Sequence, residues 1–323
     1  MLRNSMKKIL FSVTALFAVV SLVAAGCSND NDNENVSSAD KPSIVVTTNI
    51  LGDVVSNMVG DSFNVEVIMP PGSDPHDFQA SAQQVEKMMS ADLLIVNGAN
   101  FEEGMLSVIE SAEADGVMVF EAISVVSQLE GSDDHGHDDH EGHDHGGIDP
   151  HFFTDPARMA VVVEELSEFL VANFPNVDQG FVSTANDYAQ ELIDLDEEVN
   201  EILSEIPQEG KVLVTNHAVF AYFADSYGFE ILGEIIPSAS TLSSANAQQL
   251  ASLADELSSN SVKAIFADAS ASDTLARTLA AEVGDIEVIT LFTESLGEPG
   301  SSGANYIEMV KFNAQAIASG LVG

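Results

Sequence analysis

The chain has 323 residues, enough for two lobes with apolar cores but too many for one typical domain. Its formal net charge of −42 excludes nucleic acid as a partner, because the phosphate backbone would be repelled. Charged residues make up only 19% against 45% hydrophobic, and beyond the amino terminus no apolar run approaches the ~20 residues of a membrane span, so the body is expected to be soluble and globular.

At the amino terminus Arg3, Lys7 and Lys8 precede an apolar run from Ile9 to Ala25, which meets Gly26 and Cys27. That order predicts an export signal with a lipobox over residues 1–27. Cys27 is the sole cysteine and stands at the cleavage point, as in bacterial lipoproteins, whose cysteine becomes the lipidated first residue. A disulfide within the chain is then impossible. Ordinary cleavage after Ala25 is the other reading, because Ala24 stands where a lipobox more often has leucine. Both readings export the protein, either lipid-anchored on the outer face of the cytoplasmic membrane or periplasmic. Residues 28–41, rich in Asn, Asp, Ser and Glu, lack the apolar groups needed to pack and are expected to form a flexible tether.

Four short β-branched runs follow, at Ser43 to Thr48, Phe63 to Met69, Asp92 to Asn97 and Val117 to Phe120, alternating with helical patterns. Four more recur at Lys211 to Thr215, Glu230 to Ile236, Val262 to Asp268 and Ile286 to Phe292. The pattern predicts an α/β protein of two similar lobes, each on a small, four-stranded, mainly parallel sheet. The amino-terminal lobe is expected over 42–155, a helical linker over 156–209 and the carboxy-terminal lobe over 210–323. Within the linker Phe181, Tyr188, Leu192, Leu195, Val199 and Ile202 keep one apolar stripe on a helix from about Asp178 to Glu205, bracketed by Pro175 and Pro207. Such a helix is roughly 40 Å long and would run along both lobes.

Five of the eight histidines, His135, His137, His140, His143 and His145, lie in a tract over 132–147 built from His, Asp, Gly and Glu without an apolar residue. It is expected to be a solvated loop of the first lobe and an auxiliary metal binder, either collecting metal near the main site or holding it weakly through any two or three imidazoles with no part in transport. The other three, His76, His151 and His217, stand in turn-like settings beside a strand end or helix start, where ligand sites gather in α/β folds. His76 closes Pro70-Pro71-Gly72-Ser73-Asp74-Pro75-His76, where three prolines stiffen the backbone. His151 follows Asp149-Pro150, and His217 follows the strand ending at Thr215. One histidine in such a place is more often a capping or core residue than a ligand, but three held rigidly point to an ion.

Taken together these residues resemble the zinc and manganese solute-binding lipoproteins of ABC importers. The resemblance is carried by Val45-Val46-Thr47-Thr48-Asn49-Ile50-Leu51-Gly52-Asp53, the proline turn ending in His76, and Ala91-Asp92-Leu93 before a strand. It continues through Asp149-Pro150-His151, Asn216-His217-Ala218-Val219-Phe220-Ala221-Tyr222-Phe223 and Leu291-Phe292-Thr293-Glu294-Ser295-Leu296-Gly297. It implies metal ligation by His76, His151 and His217, with Glu294 at the place of a fourth, carboxylate ligand that is more commonly aspartate. It also implies an interlobe site, restricted hinge bending along the linking helix, and delivery to an ABC permease driven by a cytoplasmic ATPase from a monomeric, lipid-anchored receptor.

Manganese-type relatives usually carry glutamate where this chain has His217. Three imidazoles and a carboxylate suit four-coordinate zinc, with manganese as the alternative. Histidine-rich tracts within that family occur chiefly in zinc-type members. Four protein ligands leave no open position for a reactive water, which argues for carriage and against catalysis. The rival from another class is a zinc hydrolase with Glu294 as general base; a second is an extracellular metal buffer working through the 132–147 tract. Binding needs neutral imidazoles, so affinity is expected to weaken below about pH 6.5, the reference histidine value.

Overall fold

The structure is a computed structural model that describes residues 41–131, 147–284 and 286–322. Cys27, the export signal and the five histidines of the 132–147 tract lie outside the described residues.

The first sheet holds β1 (Ser43–Val46), β2 (Asn64–Val67), β3 (Leu93–Val96) and β4 (Met118–Glu121) in the order β2-β1-β3-β4. Every pairing is parallel; Ile44 lies opposite Val65 on one side and Leu93 on the other. The central strands Ser43–Val46 and Leu93–Val96 are apolar nearly throughout because helices cover both their faces. Those helices are α1 (Asn49–Val59), α2 (Ala82–Ser90) and α3 (Leu106–Ala114). Thr48 caps α1 by accepting from the Leu51 amide, and Ser81 with Gln84 forms a reciprocal capping box on α2.

The second sheet repeats this plan with β5 (Val212–His217), β6 (Glu230–Ile236), β7 (Ala264–Asp268) and β8 (Glu287–Leu291), ordered β6-β5-β7-β8 and again parallel. Around it lie α6 (Ala221–Tyr227), α7 (Ala247–Asn260), α8 (Thr274–Val283) and α9 (Tyr306–Val322). Sequence patterning ends the fifth strand at Thr215. In the structure it runs on to His217, which pairs with Ile236 of β6. Neighbouring strand length, not local propensity, decides that boundary.

Between the lobes stand α4 (Pro156–Asn173) and α5 (Phe181–Leu203). Asp155 caps α4 through the amides of Ala157 and Arg158, with Pro156 at the first helical position. The 23 residues of α5 give a length of about 35 Å. Its buried stripe is Phe181, Ala185, Tyr188, Leu192, Leu195, Val199 and Leu203; Ile202, expected in the stripe, is only half-buried because Leu203 takes the inward place. The helix packs on α4, on α1 of the first lobe and on α9 of the second. One apolar cluster therefore runs from Ile44 through Leu195 to Leu321, joining the inner faces of both lobes. Only the outer faces keep separate clusters, around Val45, Met88 and Leu94 in one lobe and Val214, Leu257 and Ile265 in the other.

Candidate metal centre

His76, His151, His217 and Glu294 are all buried, and one potential donor atom from each lies within 4.8 Å of the others. His76 and His151 come from turns of the first lobe. His217 is the last residue of β5, and Glu294 lies just past β8, both in the second lobe. Parallel sheets put all these strand ends on one side, where the two lobes face each other.

Each ring is aimed by local chemistry. The Asp74 carboxylate accepts from the His76 amide at 2.9 Å, closing the proline turn, and Glu103 Oε1 sits 3.1 Å from His76 Nδ1. Asp149 Oδ1 receives both the amide and Nδ1 of His151 at 2.8 Å. Phe101 packs edge-on against both of these rings, its centroid 5.1 Å from His76 and 5.5 Å from His151. With Nδ1 engaged, both rings turn Nε2 inward, the arrangement by which carboxylates fix metal-binding imidazoles. His217 is held by its backbone in β5, and its buried Nδ1 finds no partner among the described residues.

The three Nε2 atoms meet at one oxygen. Glu294 Oε1 lies 2.9 Å from His76, 3.1 Å from His151 and 2.9 Å from His217. The extra methylene that distinguishes Glu294 from aspartate thus carries its carboxylate inward to all three rings. Its other oxygen is buried without a partner among the described residues.

The electrostatics follow from this crowding. Burial alone pulls the His76 imidazolium down, but the Glu294 charge and the bonds to Glu103 and Glu294 outweigh it, and its pKa is pushed up to about 10. His151 is raised in the same way, with burial opposed by Asp149 and Glu294. Burial pushes Glu294 up, yet His217 and His76 hold its carboxyl well below the usual range. Burial, reinforced by the Glu294 charge, pushes the nearby Asp268 up to about 6. These shifts favour positively charged His76 and His151 rings beside an ionised Glu294 carboxylate. Three nitrogens and one oxygen, of borderline and hard character, form a donor set for a divalent transition metal.

Sequence reasoning brought together the four residues that the structure brings together. It did not find the ring-orienting role of Glu103: among 52 acidic residues nothing local marks that one. Asp149 was visible as part of the turn, and its spacing of two from His151 was the available signal.

Comparison with known proteins identifies the family and the fold. The family description "Zinc-uptake complex component A periplasmic" (ZnuA) matches residues 44–320. The manganese ABC transporter substrate-binding lipoprotein PsaA of Streptococcus anginosus is 28% identical over 98% of this chain and 99% of its own length. The manganese-binding lipoprotein MntA of Halalkalibacterium halodurans is also 28% identical, over 98% of this chain and 99% of its own. Among solved structures, the periplasmic zinc-binding protein TroA from Treponema pallidum superposes with a TM-score of 0.76 at 29% identity, covering 87% of this chain and 99% of that one. With a match across both lobes and the linking helix, this chain belongs to the ZnuA family of metal-binding components of ABC importers.

Proposed function

We propose that the protein captures zinc outside the cytoplasm through His76, His151, His217 and Glu294 and delivers it to an ABC permease powered by a cytoplasmic ATPase. The observation that carries this is the convergence of three buried Nε2 atoms on Glu294 Oε1. A divalent cation at this point of convergence would have four protein donors around it, the coordination number zinc prefers. Relatives of similar identity are named for manganese. His217 supports zinc here, because a third imidazole in place of an oxygen donor favours the softer ion. The position of Glu294 among the three rings supports a ligand role over activation of a separate water, and so carriage over hydrolysis.

In this reading Cys27 carries a lipid that tethers a monomeric receptor to the membrane, and His135, His137, His140, His143 and His145 gather metal near the cleft. Calorimetry of the metal-stripped protein tests the central claim. One zinc per chain is expected, with binding abolished by His76→Ala and weaker for manganese; a preference for manganese, or tight binding that survives His76→Ala, overturns it.

A further inference from the structure

Several bonds join the two lobes beside the candidate metal centre, among them that of Thr241 to Asp74 at 2.8 Å, and one set of them gathers on a side chain that is not itself a candidate ligand. Asn49 opens α1 in the first lobe and is 6% exposed. Its Nδ2 donates to the carbonyl of Pro70 at 3.0 Å, at the start of the turn that ends in His76. The same Nδ2 donates across the cleft to Ser295 Oγ at 2.9 Å, and Asn49 Oδ1 accepts from the Leu296 amide at 2.7 Å. Ser295 Oγ also accepts from the Gly72 amide at 2.8 Å, and that amide reaches the Leu296 carbonyl at 3.1 Å. Gly72 has a φ of 77°, a left-handed conformation that glycine adopts without strain and that presents its N–H to the other lobe.

The turn carrying His76 and the segment following Glu294 are thus bound together through Asn49 and Ser295. Both hydrogens of the Asn49 amide and its oxygen are used, so neither aspartate nor an apolar residue reproduces the set. Separating His76 from Glu294, as release of an ion requires, breaks these bonds and leaves a buried amide unpaired.

We propose that Asn49 is a positioning residue, a clasp across the cleft that sets how fast the bound metal leaves. The proposal rests on the reading of His76, His151, His217 and Glu294 as the metal site. It concerns the dissociation rate and not the ligand set, because Asn49 acts only through the segments that carry two of the ligands.

The test uses the full chain loaded with cobalt(II), whose visible absorption reports tetrahedral coordination, and follows its loss to excess chelator by stopped flow. Asn49→Ala is expected to keep the absorption band and to lose metal about tenfold faster or more. Ser295→Ala removes the shared acceptor and is expected to act in the same direction, with the double variant no faster than about twice the faster single one, since both break one network. Release within about twofold of the parent overturns the clasp. So does loss of the cobalt band in both variants, or failure of both to fold, either of which makes these residues part of the fold and nothing more. If only Asn49→Ala fails to fold, Ser295→Ala decides. A parent protein that binds no cobalt or zinc overturns the metal site itself, and the clasp with it.

Discussion

At Glu294 one carboxylate oxygen faces three imidazole nitrogens, and the proton inventory of the centre follows from that contact. His76 rises from 6.5 to about 10 in the metal-free protein, so the stability its protonated ring contributes is complete below about 6.5 and is lost as pH rises toward 10. Glu294 is lowered from 4.5, so its contribution is complete above that value and is lost only in stronger acid. The metal-free protein is therefore expected to melt at progressively lower temperature between pH 7 and about 10; a flat midpoint over that range would contradict the assignment. A metal binding through these rings must displace their protons. Zinc affinity is then expected to keep climbing through neutral pH instead of levelling off above the reference histidine value near 6.5, and calorimetry in two buffers of different ionisation enthalpy should register protons released at pH 7. At the neighbouring ligand, His217→Glu exchanges an imidazole for a harder donor. It should lower zinc affinity by about tenfold or more and raise that for manganese, as competition calorimetry would read.

The three candidate histidines were legible in the sequence because histidine is scarce in the body of the chain and proline marks the turns at His76 and His151, whereas Glu294 entered only through the resemblance to the metal-binding lipoproteins. The carboxylates that aim the rings were less so. Glu103 reaches His76 only because the loop after β3 folds back over the proline turn, a tertiary fact with no local trace in an acid-rich chain.

Among the elements, the strand cores were readable from β-branched runs, while their ends followed neighbours: β5 extends to His217 because β6 is long enough to pair with it. The linking helix was readable from its apolar stripe, though it is shorter than the interval between its flanking prolines. Leu195 lies on that stripe, fully buried against the shared core. Leu195→Ala is expected to destabilise the protein by about 2–5 kcal/mol, visible as a lower denaturant midpoint, through lost burial and the cavity left behind.

A second element-scale feature is the closed base of the histidine-rich tract. The Gly131 amide donates to the Gly147 carbonyl at 2.8 Å, Glu130 pairs with Ile148, and the Asp149 amide donates to Leu129. Tyr222 of α6 locks that base by accepting from the Leu129 amide and donating to the Asp149 carbonyl. Chain entering and leaving the tract is thus fixed before it reaches His151. Deleting residues 132–146 should leave one-to-one zinc binding intact by calorimetry, whereas loss of tight binding would assign the capture site to the tract.

For the whole molecule, the excess of 52 acidic over 10 basic residues sets a repulsion that folding concentrates. Added sodium chloride, which shortens the Debye length to about 3 Å at 1 M, is expected to raise the thermal midpoint; a midpoint that falls or stays constant would show that local ion pairs outweigh this repulsion. The composition fixes the sign of that effect but not where the lobes meet. That depends on α5 packing simultaneously on α1 and α9, with donors drawn from positions as far apart as His76 and Glu294, 218 residues distant.

Such a separation bears on when cargo can board. An extended polypeptide holds His76 and Glu294 too far apart to share an ion, so this centre cannot load before the chain has folded. Loading must await collapse of both halves around the central rod. Refolding monitored with a zinc-sensitive dye should accordingly show metal uptake trailing the recovery of helix content.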